Sequence, residues 1–184
     1  VVPDTSSARL QVLMPGETAL SGDATGKSGT PTNRTAGTQF YATVNLTDWR
    51  YNRITANLTK PVVRIYTTDK YDTELADQQL DANYTQTFAP TLVTAAADHY
   101  LCASTTNYYY ESYHFESSTS PIFTVDVGDA TKLQVICPGE TATPGYSEGK
   151  TGAPTWQGAA AAFTVIVNIT DNNWNKVTSA SSRV

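Results

Sequence analysis

Two histidines and two cysteines are the whole stock of imidazole and thiol in this chain. His99 and His114 would have to act as the base for any serine or cysteine nucleophile. Neither recurs where the chain repeats itself, and an ordinary surface or strand-edge histidine explains each better. Together with Cys102 and Cys137 they lack the close-paired ligand spacing of a zinc site. The triplets Gly26-Lys27-Ser28 and Gly149-Lys150-Thr151 invite a phosphate-loop reading. That loop needs the Gly-x-x-x-x-Gly spacing, so that backbone amides can wrap the phosphates. Ser21 and Pro144 stand where the earlier glycine belongs. The chain reads as no enzyme.

Oxygen donors gather more closely. Asp48 with Asn52, and Asp171 with Asn175, place carboxylate and amide oxygens in one turn, a donor set that suits a hard cation such as calcium. A second such cluster runs Asp69, Asp72, Glu74 and Asp77. Asp and Asn also shape turns by bonding their own backbone, so both readings stay open; no other cofactor is expected. The most unusual local feature is the tract Tyr108-Tyr109-Tyr110-Glu111-Ser112-Tyr113-His114-Phe115. Tyr108, Tyr109, Tyr110, Tyr113 and Phe115 offer contact area with polar tips, as protein interfaces and sugar sites use. Packing of that tract on its own domain is the competing reading.

Composition narrows the classes. Twelve basic against seventeen acidic residues give a net charge of −5 and a pI near 4.9, a surface that repels a phosphate backbone, so no nucleic-acid partner is expected. Only 16% of residues are charged, against about 25% in an ordinary soluble domain. No apolar run approaches the roughly 18 residues of a membrane helix. Without an initiator Met, the opening Val1-Val2-Pro3-Asp4 is expected to follow a removed signal peptide or further chain. Asn-x-Ser/Thr acceptors stand at Asn33, Asn45, Asn57, Asn83 and Asn168.

The elements that must position these residues come from a repeat. RLQVLMPGETA from Arg9 returns as KLQVICPGETA from Lys132, an offset of 123 that holds without a gap to Thr55 and Thr178. Over those 47 positions 22 are identical, too many in one register for chance. Phe40, Ala42, Val44 and Leu46 alternate with Tyr41, Thr43, Asn45 and Thr47, which predicts a strand with one apolar and one polar face. Leu10, Val12 and Met14 alternate likewise, and Cys137 replaces Met14 in the second copy as a small core hydrophobe. Further strands are expected at 62–66, 86–89, 100–103 and 122–127, with no convincing amphipathic helix. The turn-rich stretch after each PGETA reads as loop with a short extended piece.

The segments VNLTDWRYNRIT and VNITDNNWNKVT resemble the strand-then-turn of bacterial immunoglobulin-like repeats of the invasin and intimin type. The wider pattern LQV-x-x-PGETA, GK[ST]G-x-P and VN-x-x-D-x-x-x-N is similar to repeats of very large bacterial surface proteins. Tyr51 and Trp174 stand where a glycine is usual inside that turn. The resemblance implies an exported spacer, adhesin or filament module.

The expectation is therefore an all-β, immunoglobulin-like β-sandwich in residues 1–130, followed by the first strands of a second in 131–184. A half-sandwich would leave Leu133, Val135, Phe163, Val165 and Val167 uncovered, so a neighbouring subunit or further chain must complete it. The expected role is a secreted or cell-surface structural subunit that polymerises with copies of itself. The alternative is an adhesin or carbohydrate-binding module working through residues 108–115.

Overall fold

The computed structural model describes residues 2–55, 58–106 and 115–178. The fold is all-β, and the one helical piece among the described residues is a 3-10 turn at Thr5–Ser7. No helix among them is long and apolar enough to cross a membrane.

Alternating apolar residues put β1 (Arg9–Leu13) and β5 (Ala42–Thr47) side by side, with Leu10 opposite Leu46 and Val12 opposite Val44. Strand β8 (Thr85–Phe88) pairs with the other edge of β5. A second sheet runs β11 (Ser118–Thr119), β10 (Leu101–Thr105), β6 (Val62–Thr67), β7 (Gln78–Gln79). A third joins β4 (Arg34–Thr35), β12 (Phe123–Asp126) and β9 (Ala96–His99). Leu10, Val12, Val44 and Leu46 from the first sheet share one core with Val63, Ile65, Leu101 and Ala103 from the second, and with Phe123 and Val125 from the third. Every residue of that core lies between Ala8 and Val125.

The second copy repeats four strands of the first and, among the described residues, has no counterpart of β4. Strands β13 (Lys132–Ile136) and β16 (Ile166–Thr170) pair with Leu133 opposite Ile169 and Val135 opposite Val167, which is the β1–β5 register moved by 123 residues. The hairpin β2–β3 (Glu17–Ala19, Lys27–Gly29) has its twin in β14–β15 (Glu140–Ala142, Lys150–Gly152). Among the described residues β13 and β16 pair only with each other, whereas β5 has a second partner in β8.

Two expectations need correction. The short extended piece expected after PGETA is present at Lys27–Gly29 and pairs with Glu17–Ala19 inside PGETA, and the resulting hairpin covers the far side of β1 and β5. Asn45 and Thr47, expected on a polar outer face, are therefore buried along with Gln11. Gln11 Nε2 donates to Gly26 O across 2.7 Å and accepts from Asn45 Nδ2 across 3.1 Å through its Oε1, which satisfies polar groups that burial would otherwise penalise. Gln134, Gly149 and Asn168 repeat the chain at 2.6 and 2.9 Å. Asn45 and Asn168 are thus closed to glycosylation in the folded chain. Also, Phe40 and Phe163 precede their strands rather than opening them.

Candidate functional site

Each β-strand pair ends in the same turn, and its residues do structural work in both copies. Asp48 Oδ1 accepts from Arg50 N at 2.8 Å and Asn52 N at 2.9 Å, while Oδ2 accepts from Asn52 Nδ2 at 2.9 Å and Asp4 N at 3.3 Å. Asp171 does the same with Asn173 N, Asn175 N and Asn175 Nδ2, and takes Gly128 N at 2.9 Å as its fourth donor. Burial would push the Asp48 carboxyl up, but the bonds from Asn52, Arg50 and Asp4 outweigh it and hold it below the ordinary carboxylate range. The carboxylate oxygens that a calcium ion would need are turned onto these amides. Among the described residues no cluster of three or more His, Cys, Asp or Glu side chains is arranged to hold a metal.

The residue before the closing Asn adopts a left-handed conformation, φ 60° at Tyr51 and 64° at Trp174. That geometry is why glycine is usual there. Here the aromatic ring lies flat on Gly26 or Gly149, which leave room because they lack a Cβ. A cation lies over each ring as well: the Arg9 guanidinium 5.2 Å from the Tyr51 ring centre, and the Lys132 ammonium 4.3 Å from that of Trp174.

The lysines of the Gly-Lys-Ser/Thr triplets are occupied. Lys27 Nζ reaches Glu17 at 3.0 Å and Val12 O at 3.2 Å, and Lys150 Nζ reaches Glu140 at 2.9 Å and Val135 O at 3.2 Å. Each ties the hairpin to the strand beneath it. A Gly-x-Ser-x-Gly run is also present, Gly145 to Gly149, a spacing shared with nucleophile elbows. It turns from one strand to another within the β14–β15 hairpin, whereas an elbow leads from a strand into a helix. Ser147 O accepts Trp174 Nε1 at 3.0 Å. This run is part of the hairpin's architecture.

Sequence reasoning marked Asp69 only as one of the acidic cluster Asp69, Asp72, Glu74 and Asp77, and missed the densest polar constellation, which it anchors. Asp69 lies buried in the loop after β6 and accepts Val93 N at 2.6 Å and Thr94 N at 2.7 Å through Oδ2. Its Oδ1 accepts Thr94 Oγ1 at 2.7 Å and Tyr71 N at 3.1 Å. His99, also buried, bonds Thr94 O through Nε2 at 2.8 Å and Thr68 Oγ1 through Nδ1 at 2.9 Å. Because Thr94 O can only accept, Nε2 carries the proton. Together they fix the backbone of 93–95, which meets the second copy: Ala95 N donates to Asn175 Oδ1 and Asn175 Nδ2 donates to Val93 O, both at 2.8 Å. Tyr71 and Tyr146 pack with ring centres 5.5 Å apart, and Asn173 lies against Gly37. His99 thus serves the joint. No spacing rule marks a carboxylate that will serve backbone amides 24 residues later, so only the recurrence of Asn52 as Asn175 hinted at the joint.

Asn175→Ala is expected to cost about 2–3 kcal/mol, because a part-buried amide and carbonyl of copy one lose their partner and the buried turn loses its own bond to Asp171. Asn52→Ala is expected to cost about 1 kcal/mol, since among the described residues its carboxamide donates only to Asp48. Paired urea titrations of the two variants check the difference.

The remaining expected residues divide sharply. Tyr108, Tyr109, Tyr110 and Tyr113 lie outside the described residues. Phe115 packs, partly buried, against the core of copy one. Cys102 and Cys137 are both free and half-buried, so Cys137 is less enclosed than Met14, its counterpart at 2% exposure. Leu133, Val135, Phe163, Val165 and Val167 are all exposed. Leu133 is 68% and Val167 57% exposed, where Leu10 and Val44 are 1% and 0%. Compared with family models, curated proteins and solved structures, the chain matches none.

Proposed function

We propose that this chain is a structural protein of the cell exterior: an immunoglobulin-like sandwich subunit of a filament, stalk or layer, assembled by tandem repeats or by strand complementation. The observation that carries the reading is the uncovered face of copy two. The same apolar register that β6, β10 and β12 enclose in copy one stands open on β13, β16 and the segment before β16. Each large apolar side chain left in water forgoes about 1.5–3 kcal/mol available on burial. Incoming strands would supply that cover, with backbone pairing at the free edges of β13 and β16 adding register. A surface of one sign on each copy, meeting a different surface on the next, extends into an open array. The resemblance to repeats of large bacterial surface proteins supports the exterior location.

Sedimentation equilibrium over a wide concentration range tests this. Self-assembly is expected, and Val135→Asp combined with Val167→Asp is expected to abolish it while copy one keeps its circular dichroism. Wild-type chains that stay folded and monomeric at high concentration overturn the reading.

A further inference from the structure

Copy one carries a groove of about 710 Å³ beside the β2–β3 hairpin, walled by β2, by β5 and by the start of β8. Its frame recurs 123 residues later, where Glu17, Phe40 and Asn45 become Glu140, Phe163 and Asn168. Its polar fittings do not. Gln157 stands in place of Arg34, Ala162 of Gln39, Thr164 of Tyr41 and Ile166 of Thr43. Arg53 becomes Lys176, which keeps the charge but loses the planar fork. The paired strands and the hairpin form in copy two without these side chains, so the shared framework does not require them in copy one.

Charge is the second observation. Arg34 is half-buried, and its Nε donates to Thr32 O at 3.0 Å while Nη2 donates to Thr32 Oγ1. That hydroxyl is itself held by Pro15 O at 3.2 Å, and the guanidinium lies 5.8 Å from the Phe40 ring centre. Arg53 Nη2 donates to Asn83 O at 2.9 Å. Both side chains keep N–H groups that no described residue takes, and no carboxylate among the described residues forms an ion pair with either. Glu17, the acid in the lining, is engaged by Lys27 Nζ at 3.0 Å and Met14 N at 2.9 Å. Asp81, which feels the Arg53 charge, turns its Oδ1 onto Asn83 N and Thr85 N. In a chain of net charge −5, this groove is positive.

We propose that this groove binds an acidic oligosaccharide, a short chain of uronate sugars. Guanidinium forks take carboxylates in pairs of parallel hydrogen bonds, and two of them along one groove match a ligand whose carboxylates repeat along its length. Tyr41, 63% exposed, offers a ring face to the apolar side of a sugar, and Gln39 and Thr43 offer polar groups to its hydroxyls. The volume falls within the range of ligand clefts, roughly 300–1,000 Å³. An acidic peptide is served less well: β5 is already paired on both edges, by β1 and β8, and gives an incoming backbone no ladder to join. Every part of the groove lies in copy one, so it and the open face of copy two can fail independently.

Calorimetric titration of the full wild-type chain with tetragalacturonate and with tetramannuronate tests it. One or both should bind at a single site per chain, more weakly as salt rises. The same oligomers with their carboxyls reduced to alcohols should bind about tenfold more weakly or worse, since bonds to charged groups are the stronger ones. Arg34→Gln and Tyr41→Thr each install the side chain that copy two carries at that place, so the fold should keep its circular dichroism and urea midpoint. Each should weaken binding about tenfold. Failure of both oligomers to bind overturns the site, as does wild-type affinity in both variants. Two sites per chain would place binding on the framework the copies share and overturn it as well. Equal binding of the reduced oligomers overturns the role of the guanidiniums, and a hexaglutamate peptide bound as tightly as the uronates overturns the sugar.

Discussion

Gly26→Ala is expected to destabilise copy one by about 3 kcal/mol or more, the scale of a core disruption compounded by backbone strain. Two costs combine. Gly26 sits at φ 75°, where any Cβ is strained by about 1–2 kcal/mol. The new methyl would also land in the Tyr51 ring. Tyr51 cannot step aside freely, because its own left-handed backbone is held by Tyr51 N donating to Asp48 O at 3.0 Å and by its hydroxyl accepting from Arg9 Nη1 at 3.3 Å. Gly26 O meanwhile accepts Gln11 Nε2 and Leu20 N, each at 2.7 Å, so a shifted Gly26 loosens both the buried amide network and the hairpin. Gly22→Ala is the control: its φ is similar but its surroundings are open, and only the backbone share, about 1 kcal/mol, is expected. Urea midpoints of the two variants separate the effects. Tyr51→Gly added to Gly26→Ala should recover much of the loss, since it removes both the clash and a strained residue. Equal costs for Gly22→Ala and Gly26→Ala would show that the ring on the glycine contributes nothing.

The sequence carried the strand pairs but not their wrapping. Leu10, Val12, Val44 and Leu46 alternate strictly, and a repeated register leaves little freedom about which strands pair, so β1, β5, β13 and β16 were legible. Asn45 and Thr47 were misplaced on an outer face because period-two alternation reports the sheet's own two sides and says nothing of a hairpin folded over one of them. The twin Gln11–Asn45 and Gln134–Asn168 pairs held that information: a polar pair kept in two copies beside apolar neighbours implies a shared buried network. Strands β4, β7 and β11, two residues each, are too short for any periodicity. Tyr51 and Trp174 mark the opposite case. A missing glycine looked like a departure from the turn, and the conformation that glycine serves is kept by stacking on a different glycine 25 residues earlier in each copy. Asp69 was visible only as one of four clustered acidic residues, and its role was illegible because most of its partners are backbone amides, which nearly every residue type supplies.

Asp69→Ala is expected to cost about 3–5 kcal/mol, since it strips the shared acceptor from four part-buried donors at once. Val93 N, Thr94 N, Thr94 Oγ1 and Tyr71 N all lose their acceptor. The damage should cross the joint, because 93–95 then no longer presents Val93 O and Ala95 N to Asn175; faster exchange of the Ala95 amide is the local signature. The charge gives a second, graded readout. Burial pushes the Asp69 carboxyl up, but bonds from the Thr94 amide and hydroxyl and the Tyr71 and Val93 amides overcome it and hold it below the ordinary value. A folded-state pKa below the unfolded one means that the native state binds fewer protons. The contribution is therefore fully present above the ordinary carboxylate value, about pH 4, and is lost as pH falls through the depressed one. Neighbouring Asp72 runs the other way: burial first, then repulsion from Asp69 and Glu74, raises it, so its penalty is relieved over the acid side. Stability measured from pH 6 downwards should accordingly fall less steeply in Asp69→Asn than in the wild type, because the variant has no carboxylate there to protonate. An unchanged acid limb would show that Asp69 is not the anion holding the joint.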